Sequence, residues 1–431
     1  MNWKTDYQNK IMSAEEAIAL IQPGEGLVLS QASTPNVMVA TLAAHKERFK
    51  GNSVFNIINL GDMSLAHADM EGHFEFSTIF TSGSTRQDIN DGRAHHIPAH
   101  FHAVPGLLGD TVACDVAVLA MTRPDAEGYC SLSLGVDYAL QAAKVARLVI
   151  GECNDQLPYT FGDSRVHVSQ LGAVVEVSYP PKQNPQPTLG EVEMAIGRHC
   201  AGLIHDGDCL QLGIGALPDA VLLSLKDKKD LGIHSEMFSD GVVELVEEGV
   251  ITNAHKQLHP GKLVATFLIG TSRLYDFVND NLDVEMHPVD YVNAPWIVAK
   301  NDNVVAINSA IQVDLTGQVC AESIGLRHYS GSGGQVDFIR GAAMSKGGRS
   351  IIALASTSMG GKASRIVPVL EEGAAVTTPR TDVHYVVTEY GVADLKGRTQ
   401  QDRARALIAI AHPDFRPELI EHFEARFKRA F

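Results

Sequence analysis

Short apolar runs recur along this chain with helical stretches between them, and that alternation limits the fold more than any other feature. Residues 26–30 (GLVLS) read as a strand, and residues 37–45 as the helix that follows it. Residues 54–60 (VFNIINL), 115–120 (DVAVLA) and 147–151 (RLVIG) read as further strands, the last two separated by a helix over 138–146. Later in the chain, 208–212, 262–267, 303–307, 350–355 and 383–388 read as strands, with a long helix from about Leu189 and another over 219–225. A helix between successive strands makes a crossover, and crossovers join parallel strands. The expected class is therefore α/β with mainly parallel sheets.

The alternation breaks once. Residues 178–188 read SYPPKQNPQPT, with four prolines in eleven residues. Proline has no N–H to give to a helix or a central strand, so this stretch reads as an exposed linker. A chain of 431 residues is also too long for one ordinary domain. We expect two open α/β domains, 1–187 and 188–431, with the active site in the cleft between them, where such folds commonly bind small molecules.

The formal charge of −16 argues against nucleic acid, which needs a basic face. It does not exclude a small anion held in a local pocket. The six cysteines (Cys114, Cys130, Cys153, Cys200, Cys209 and Cys320) are dispersed, with no CxxC pair. They read as reduced, buried thiols. Residues 1–21 contain no continuous apolar segment of the kind a signal peptide needs, and no run of ~18 apolar residues occurs. A cytoplasmic protein without membrane association is the expectation.

Two glycine-rich turns stand out. Residues 212–220 (LGIGALPDA) lie between an expected strand and an expected helix, with Pro218 suited to a first helical turn. Gly213 and Gly215 let the backbone approach a ligand, and free N–H groups at the helix start suit an anion or an oxyanion. The stretch is not a dinucleotide fingerprint, because Pro218 stands where the third glycine would be. A tight strand–helix turn without any ligand accounts for the same residues equally well. The second turn, 329–342 (YSGSGGQVDFIRGA), places Gly331, Gly333 and Gly334 within four residues. It can aim several N–H groups at one point. Lys346 and Arg349 follow in SKGGRS and can face phosphate, although solvated surface is the commoner fate of such cations.

Two glutamates are candidates for chemistry. Glu236 lies in GIHSEMFSDG, where a short strand ends in a turn, and Glu389 lies in TEYGVAD after an apolar strand. A carboxylate at the end of a parallel strand points toward the crevice where α/β folds bind ligands, and carboxylates serve as covalent nucleophiles. The residues themselves do not choose between the two. His95, His96, His100 and His102 match no standard metal spacing, and Pro98 breaks any helix that would align them. We expect no metal.

Taken together, these segments resemble the class I coenzyme A transferases of the acetyl-CoA hydrolase/transferase type. The similarity is strongest to the 4-hydroxybutyrate and butyryl-CoA:acetate CoA-transferases. It rests on DVAVLAMTRPDAEGYCSLSLGVD and ECNDQLPYTFGDSRVHVS in the first half, and on GIGALPDAV, IHSEMFSDG, SGSGGQVDFIRGA, SKGGRSIIAL and TEYGVADLKGRT in the second. SLSLGVD departs from the shorter SLG expected there.

The resemblance implies that Glu236 is the nucleophile and that the N–H groups of Leu217 and Gly334 are oxyanion donors. It implies CoA contacts at Gly213, Ile214, Gly215, Ala216, Leu217, Ile311, Gly333 and Gly334, and we add Lys346. Glu389 then has a supporting role. Gln31 and Gln211, at strand ends, are assigned to the acid substrate. The implied reaction moves CoA between a short-chain acyl-CoA and a free carboxylate such as acetate, through a glutamyl-CoA thioester. No cofactor beyond the substrate CoA is expected. The expected partners are acyl-CoA and carboxylic acids, with a homo-oligomeric assembly. The rival readings are an acetyl-CoA hydrolase of the same fold and a non-catalytic CoA-binding protein.

Overall fold

A computed structural model describes residues 2–61 and 63–431. The apolar runs form strands buried along their whole length. Val116–Met121 is buried at all six positions and Cys209–Leu212 at all four. Continuous burial of this kind belongs to a parallel sheet covered on both faces, which is why these strands lack a polar alternation.

The chain divides into two compact units. One comprises the residues up to Pro185 together with Val264–Val292, and the other Gln186–Leu263 together with Asn293–Phe431. Residues 264–292, which a division at 187/188 assigns to the second half, pack with the first. The proline-rich stretch 178–188 carries no regular secondary structure.

The first unit is built on a seven-stranded sheet. Its strands are β1 (Gly26–Leu29), β2 (Asn52–Phe55), β3 (Phe74–Thr78), β4 (His95–His96), β5 (Val116–Met121), β6 (Leu148–Asn154) and β7 (Ala173–Val177). The order across the sheet is β7-β6-β5-β1-β2-β3-β4, and every pairing is parallel. The connection reverses direction between β1 and β5, which makes their carboxyl ends a switch point. The strand expected over 54–60 stops at Phe55. Asn56 turns its side-chain amide back onto the carbonyls of Leu29 and Ser30, at 3.3 and 3.0 Å, and ends the pairing. Leu27, Leu29, Val54, Phe76, Val116, Val118 and Ile150 pack with the helix α1 (Asn36–Ala44) in the core of this unit.

The second unit carries a six-stranded sheet. Its strands are β8 (Cys209–Leu212), β9 (Gly232–Ile233), β10 (Val304–Ser309), β11 (Arg349–Ala353), β12 (Tyr385–Thr388) and β13 (Gly391–Asp394). The order is β9-β8-β10-β11-β12-β13, parallel except for the last pair. From β8 the chain goes to β9 on one side and then to β10 on the other, so a second switch point lies between β8 and β10. Helix α2 (Ala216–Leu223) comes directly after β8, and helix α3 (Gln335–Met344) precedes β11. The helix expected over 219–225 starts earlier, so Leu217 and Pro218 lie in its first turn. Among the described residues no helix is long and apolar enough to cross a membrane.

Candidate active site

Glu236 stands three residues beyond the end of β9, at the carboxyl edge of the second unit's sheet. Its neighbours are fastened to the adjacent strand. The Ser235 hydroxyl accepts from the N–H of Leu212 at 3.2 Å and donates to the carbonyl of Leu212 at 3.1 Å. Met237 forms a bridge with the same Leu212. The residues on either side of Glu236 are thus held against the last residue of β8, and the glycine turn 213–215 begins immediately after it. Farther along, the Ser239 hydroxyl donates to Asp219 on α2 at 3.1 Å. Burial pushes the Asp219 carboxyl above its ordinary range, the Ser239 bond opposing this and the charge of Asp240 adding to it.

The Glu236 carboxylate is half-buried, and Asn293 donates its side-chain amide to Oε2 at 2.7 Å. Asn293 is fully buried, and its own Oδ1 has no hydrogen-bond partner. Gly334 closes the other side. A Cβ at this position would lie 2.0 Å from Oε2 of Glu236 and 2.3 Å from Nδ2 of Asn293. The φ of Gly334 is −95°, which any residue can adopt, so close approach to the carboxylate is what demands glycine here.

Gly334 is also the residue that caps α3, whose first turn leaves N–H groups without helical acceptors. The turn 213–215 prepares a second such end. Gly215 caps α2 at φ 114°, a conformation that L side chains rarely adopt, and no side chain caps this helix. Among the described residues, neither the Leu217 N–H nor the Gly334 N–H has a protein acceptor. The structure therefore offers a fixed carboxylate and, at the carboxyl edge of the same sheet, two helix starts with unused donors. Such donors favour negative charge, and they need no reorganisation when charge develops.

Several other expected residues lie along this edge. Gln211 on β8 and Asn308 on β10 pair through their amides, with Nδ2 of Asn308 3.0 Å from Oε1 of Gln211. Ile311, two residues beyond β10, spends its N–H on the carbonyl of Cys320 at 2.8 Å. Gly333 has φ 50° and leads into Gly334. Ile214 is 42% exposed on the turn after β8.

Within the second unit, two expected residues, Lys346 and Glu389, are not brought to Glu236. Lys346 lies before β11, at the opposite edge of the parallel sheet, where its carbonyl accepts from Asn303 just ahead of β10. The length of β10 separates it from the site, roughly 20 Å at about 3.3 Å per residue. Its ammonium is 88% exposed and 3.8 Å from Asp302. Gln31 belongs to the first unit, fully buried after β1, where its Oε1 accepts from the Ile58 N–H. Glu389 sits in the turn between β12 and β13 with both oxygens engaged, one by the Ser356 hydroxyl at 2.6 Å and one by the Ser356 N–H at 2.9 Å. The residue that sequence reasoning missed is Asn293. Its only local signal is a polar side chain inside the apolar run YVNAPWIV.

The chain matches the model of the acetyl-CoA hydrolase/transferase N-terminal domain over residues 1–185 and that of the C-terminal domain over 270–423. A 4-hydroxybutyrate coenzyme A transferase from Clostridium kluyveri is 52% identical over 99% of this chain and 100% of the relative. A succinyl-CoA:cyclohexane-1-carboxylate CoA transferase from Geobacter metallireducens is 45% identical over 97% of this chain and 96% of the relative. Among solved structures, the 4-hydroxybutyrate CoA-transferase of Porphyromonas gingivalis superposes with a TM-score of 0.87 at 41% identity, covering 99% of this chain and 100% of the other.

Proposed function

The chain belongs to the acetyl-CoA hydrolase/transferase family, and from that premise we propose that it is a CoA-transferase that moves CoA from a short-chain acyl-CoA to a free carboxylic acid, with Glu236 as the covalent carrier. The observation that carries the assignment to Glu236 is its carboxylate, held by the buried Asn293 amide and pressed against the backbone of Gly334. 4-Hydroxybutyrate, butyrate and acetate are the acids we assign to it.

Glu236 attacks the thioester carbonyl carbon, and the carbonyl oxygen becomes a tetrahedral oxyanion. The N–H groups of Leu217 and Gly334 are suited to receive it, each such donor contributing roughly 3–4 kcal/mol in comparable acyl-transfer sites. Collapse breaks the carbon–sulfur bond, giving an acyl-glutamyl anhydride and CoA thiolate. The thiolate attacks the Glu236 carbonyl and expels the first acid as its carboxylate, leaving CoA on the side chain. An acceptor carboxylate then attacks the glutamyl-CoA carbonyl and releases thiolate. The thiolate attacks the acyl carbon of the new anhydride, which frees Glu236 and the new acyl-CoA. Each step exchanges one bond at carbon for another, so no proton donor, metal or nucleotide triphosphate is consumed.

Asn293 serves this cycle by fixing one oxygen of the Glu236 carboxylate. The thiolate must reach the anhydride before water does, so the geometry must give it a high effective concentration. Binding energy from the remote parts of CoA supports that geometry.

Intact-mass measurement after mixing with acyl-CoA tests the proposal. We expect an adduct of CoA mass that maps to Glu236 and is removed by hydroxylamine, with CoA transfer to acetate. Glu236→Ala abolishes both. Turnover retained in Glu236→Ala overturns the assignment of the nucleophile, and CoA release at the same rate without acetate makes the protein a hydrolase.

A further inference from the structure

Arg365 lies beside Ala310, just past the carboxyl end of β10, and its guanidinium has no acid to pair with among the described residues. Its backbone is fully used, with the N–H bonded to the Ser356 carbonyl at 2.8 Å and the carbonyl accepting from Val313 at 2.9 Å. Ile366, the next residue, is buried in the core of the second unit. Successive side chains on an extended segment point to opposite faces, so the guanidinium of Arg365 lies away from that core. There Nη1 reaches the Ala310 carbonyl at 3.4 Å, while Nε is buried with no hydrogen-bond partner. Among the described residues no carboxylate lies within ion-pair distance of Arg365. Arg349 also has a buried unpaired Nε, but its guanidinium is held by Asp208 at 2.6 Å. A half-buried guanidinium without an acid is costly, because removal from water is not offset by any opposite charge.

Its place connects it to the site. Gln335, next to Gly334, donates to the Ser309 carbonyl at 2.7 Å, and Ala310 follows Ser309. The path from Glu236 to Arg365 thus runs through Gly334, Gln335, Ser309 and Ala310, all in one unit. Glu236 follows β9 and Ala310 follows β10, with β8 between them, so the two positions are two strand spacings apart, roughly 10 Å.

We propose that Arg365 binds a phosphate of the CoA substrate. The inference rests on the CoA-transferase reading. The acid that exchanges must touch the Glu236 carboxyl carbon, and a guanidinium two strands away is misplaced for that role. CoA carries its negative charge on phosphates that lie beyond the pantetheine arm, away from the reacting sulfur. The chain has a formal charge of −16, so a polyanionic substrate needs a local cation to overcome the overall field. The planar fork of arginine suits a phosphate, and an unpaired one is ready to accept it.

The test compares acyl-CoA with acyl-pantetheine, which has the same reacting end and no phosphate. For Arg365→Gln we expect KM for acyl-CoA to rise roughly ten- to a hundredfold, the range for losing one charge-assisted hydrogen bond. KM for the acceptor acid and turnover of acyl-pantetheine should not change. Equal losses with both thioesters assign Arg365 to the fold and overturn the inference. So does an unchanged KM for acyl-CoA, or a rise confined to the acceptor acid. Should Arg365→Gln fail to fold, phenylglyoxal modification of the wild-type chain, mapped by peptide mass, gives an independent reading. CoA should protect Arg365 and pantetheine should not; absence of protection by CoA overturns the inference. If the wild-type chain transfers no CoA at all, the proposed function is what fails.

Discussion

The Asn293 side-chain amide donates to Oε2 of Glu236 at 2.7 Å across 57 residues of chain, while its own Oδ1 is buried without a partner. The asparagine thus contributes to the site through one donor. The pairing gives the site its most direct mutational tests.

Asn293→Ala should lower kcat roughly ten- to a hundredfold, the range for one hydrogen bond to a charged group, with a smaller change in KM for acyl-CoA. Asn293→Asp sets a second carboxylate against Glu236, which raises the proton affinity of the pair. Its activity should fall below that of Asn293→Ala near neutral pH and recover as pH rises. Steady-state rates across pH check both, and a flat profile for Asn293→Asp would remove Asn293 from the mechanism.

Gly334→Ala and Gly215→Ala should fail in different ways. A methyl at 334 meets the Glu236 carboxylate, so kcat should collapse while the melting temperature changes little. At 215 nothing lies within 4 Å of a Cβ, but the φ of 114° strains an alanine. That substitution should cost on the order of 1–3 kcal/mol of stability. Thermal melts beside activity assays separate the two.

Glu389→Gln should leave the CoA adduct on Glu236 intact. Its carboxylate is fully occupied by the Ser356 hydroxyl and N–H, so its work is to join the turn between β12 and β13 to the end of β11. Loss of the charge should reduce stability by about 1–3 kcal/mol, measured by chemical denaturation. Loss of the adduct would return Glu389 to the candidate nucleophiles.

Asp137 in the first unit gives a pH signature. It is fully buried, and burial pushes its carboxyl up to about 7 against the lowering effect of the Tyr138 N–H. The folded state therefore holds this proton more tightly than the unfolded chain, and the carboxyl's contribution to stability falls as pH rises from about 4 to about 7. Asp137→Asn keeps an acceptor for the Tyr138 N–H but cannot ionise. The variant should gain on the wild type across that window, by on the order of a few kcal/mol, and the gap should stay constant above it. Denaturation midpoints at pH 4, 5.5, 7 and 8 would show the trend, and a gap independent of pH would contradict it.

Much of the architecture was legible because it is local. Val116–Met121 and Cys209–Leu212 are apolar at nearly every position, and a run that short and that uniform reads as a buried strand in any context. The glycine turn before α2 was legible as well, since Gly215 followed shortly by Pro218 marks a helix start by backbone stereochemistry alone. The strand over 54–60 was overestimated because Asn56, which reads as an ordinary polar interruption, ends it by bonding to carbonyls at 29 and 30.

The sequence by itself determined the alternation of strands and helices, the break at the proline-rich stretch and the candidate glutamates, because each depends on neighbouring residues. Only the tertiary structure shows what holds each of the two glutamates. Glu236 is held by Asn293 and Gly334, both remote in sequence, whereas Glu389 is consumed by Ser356. It also returned residues 264–292 to the first unit and carried Lys346 to the far edge of its sheet. The physical reason is common to all of these: hydrogen-bond partners across tens of residues, and the edge of a sheet on which a loop emerges, follow from strand order, which local periodicity does not encode.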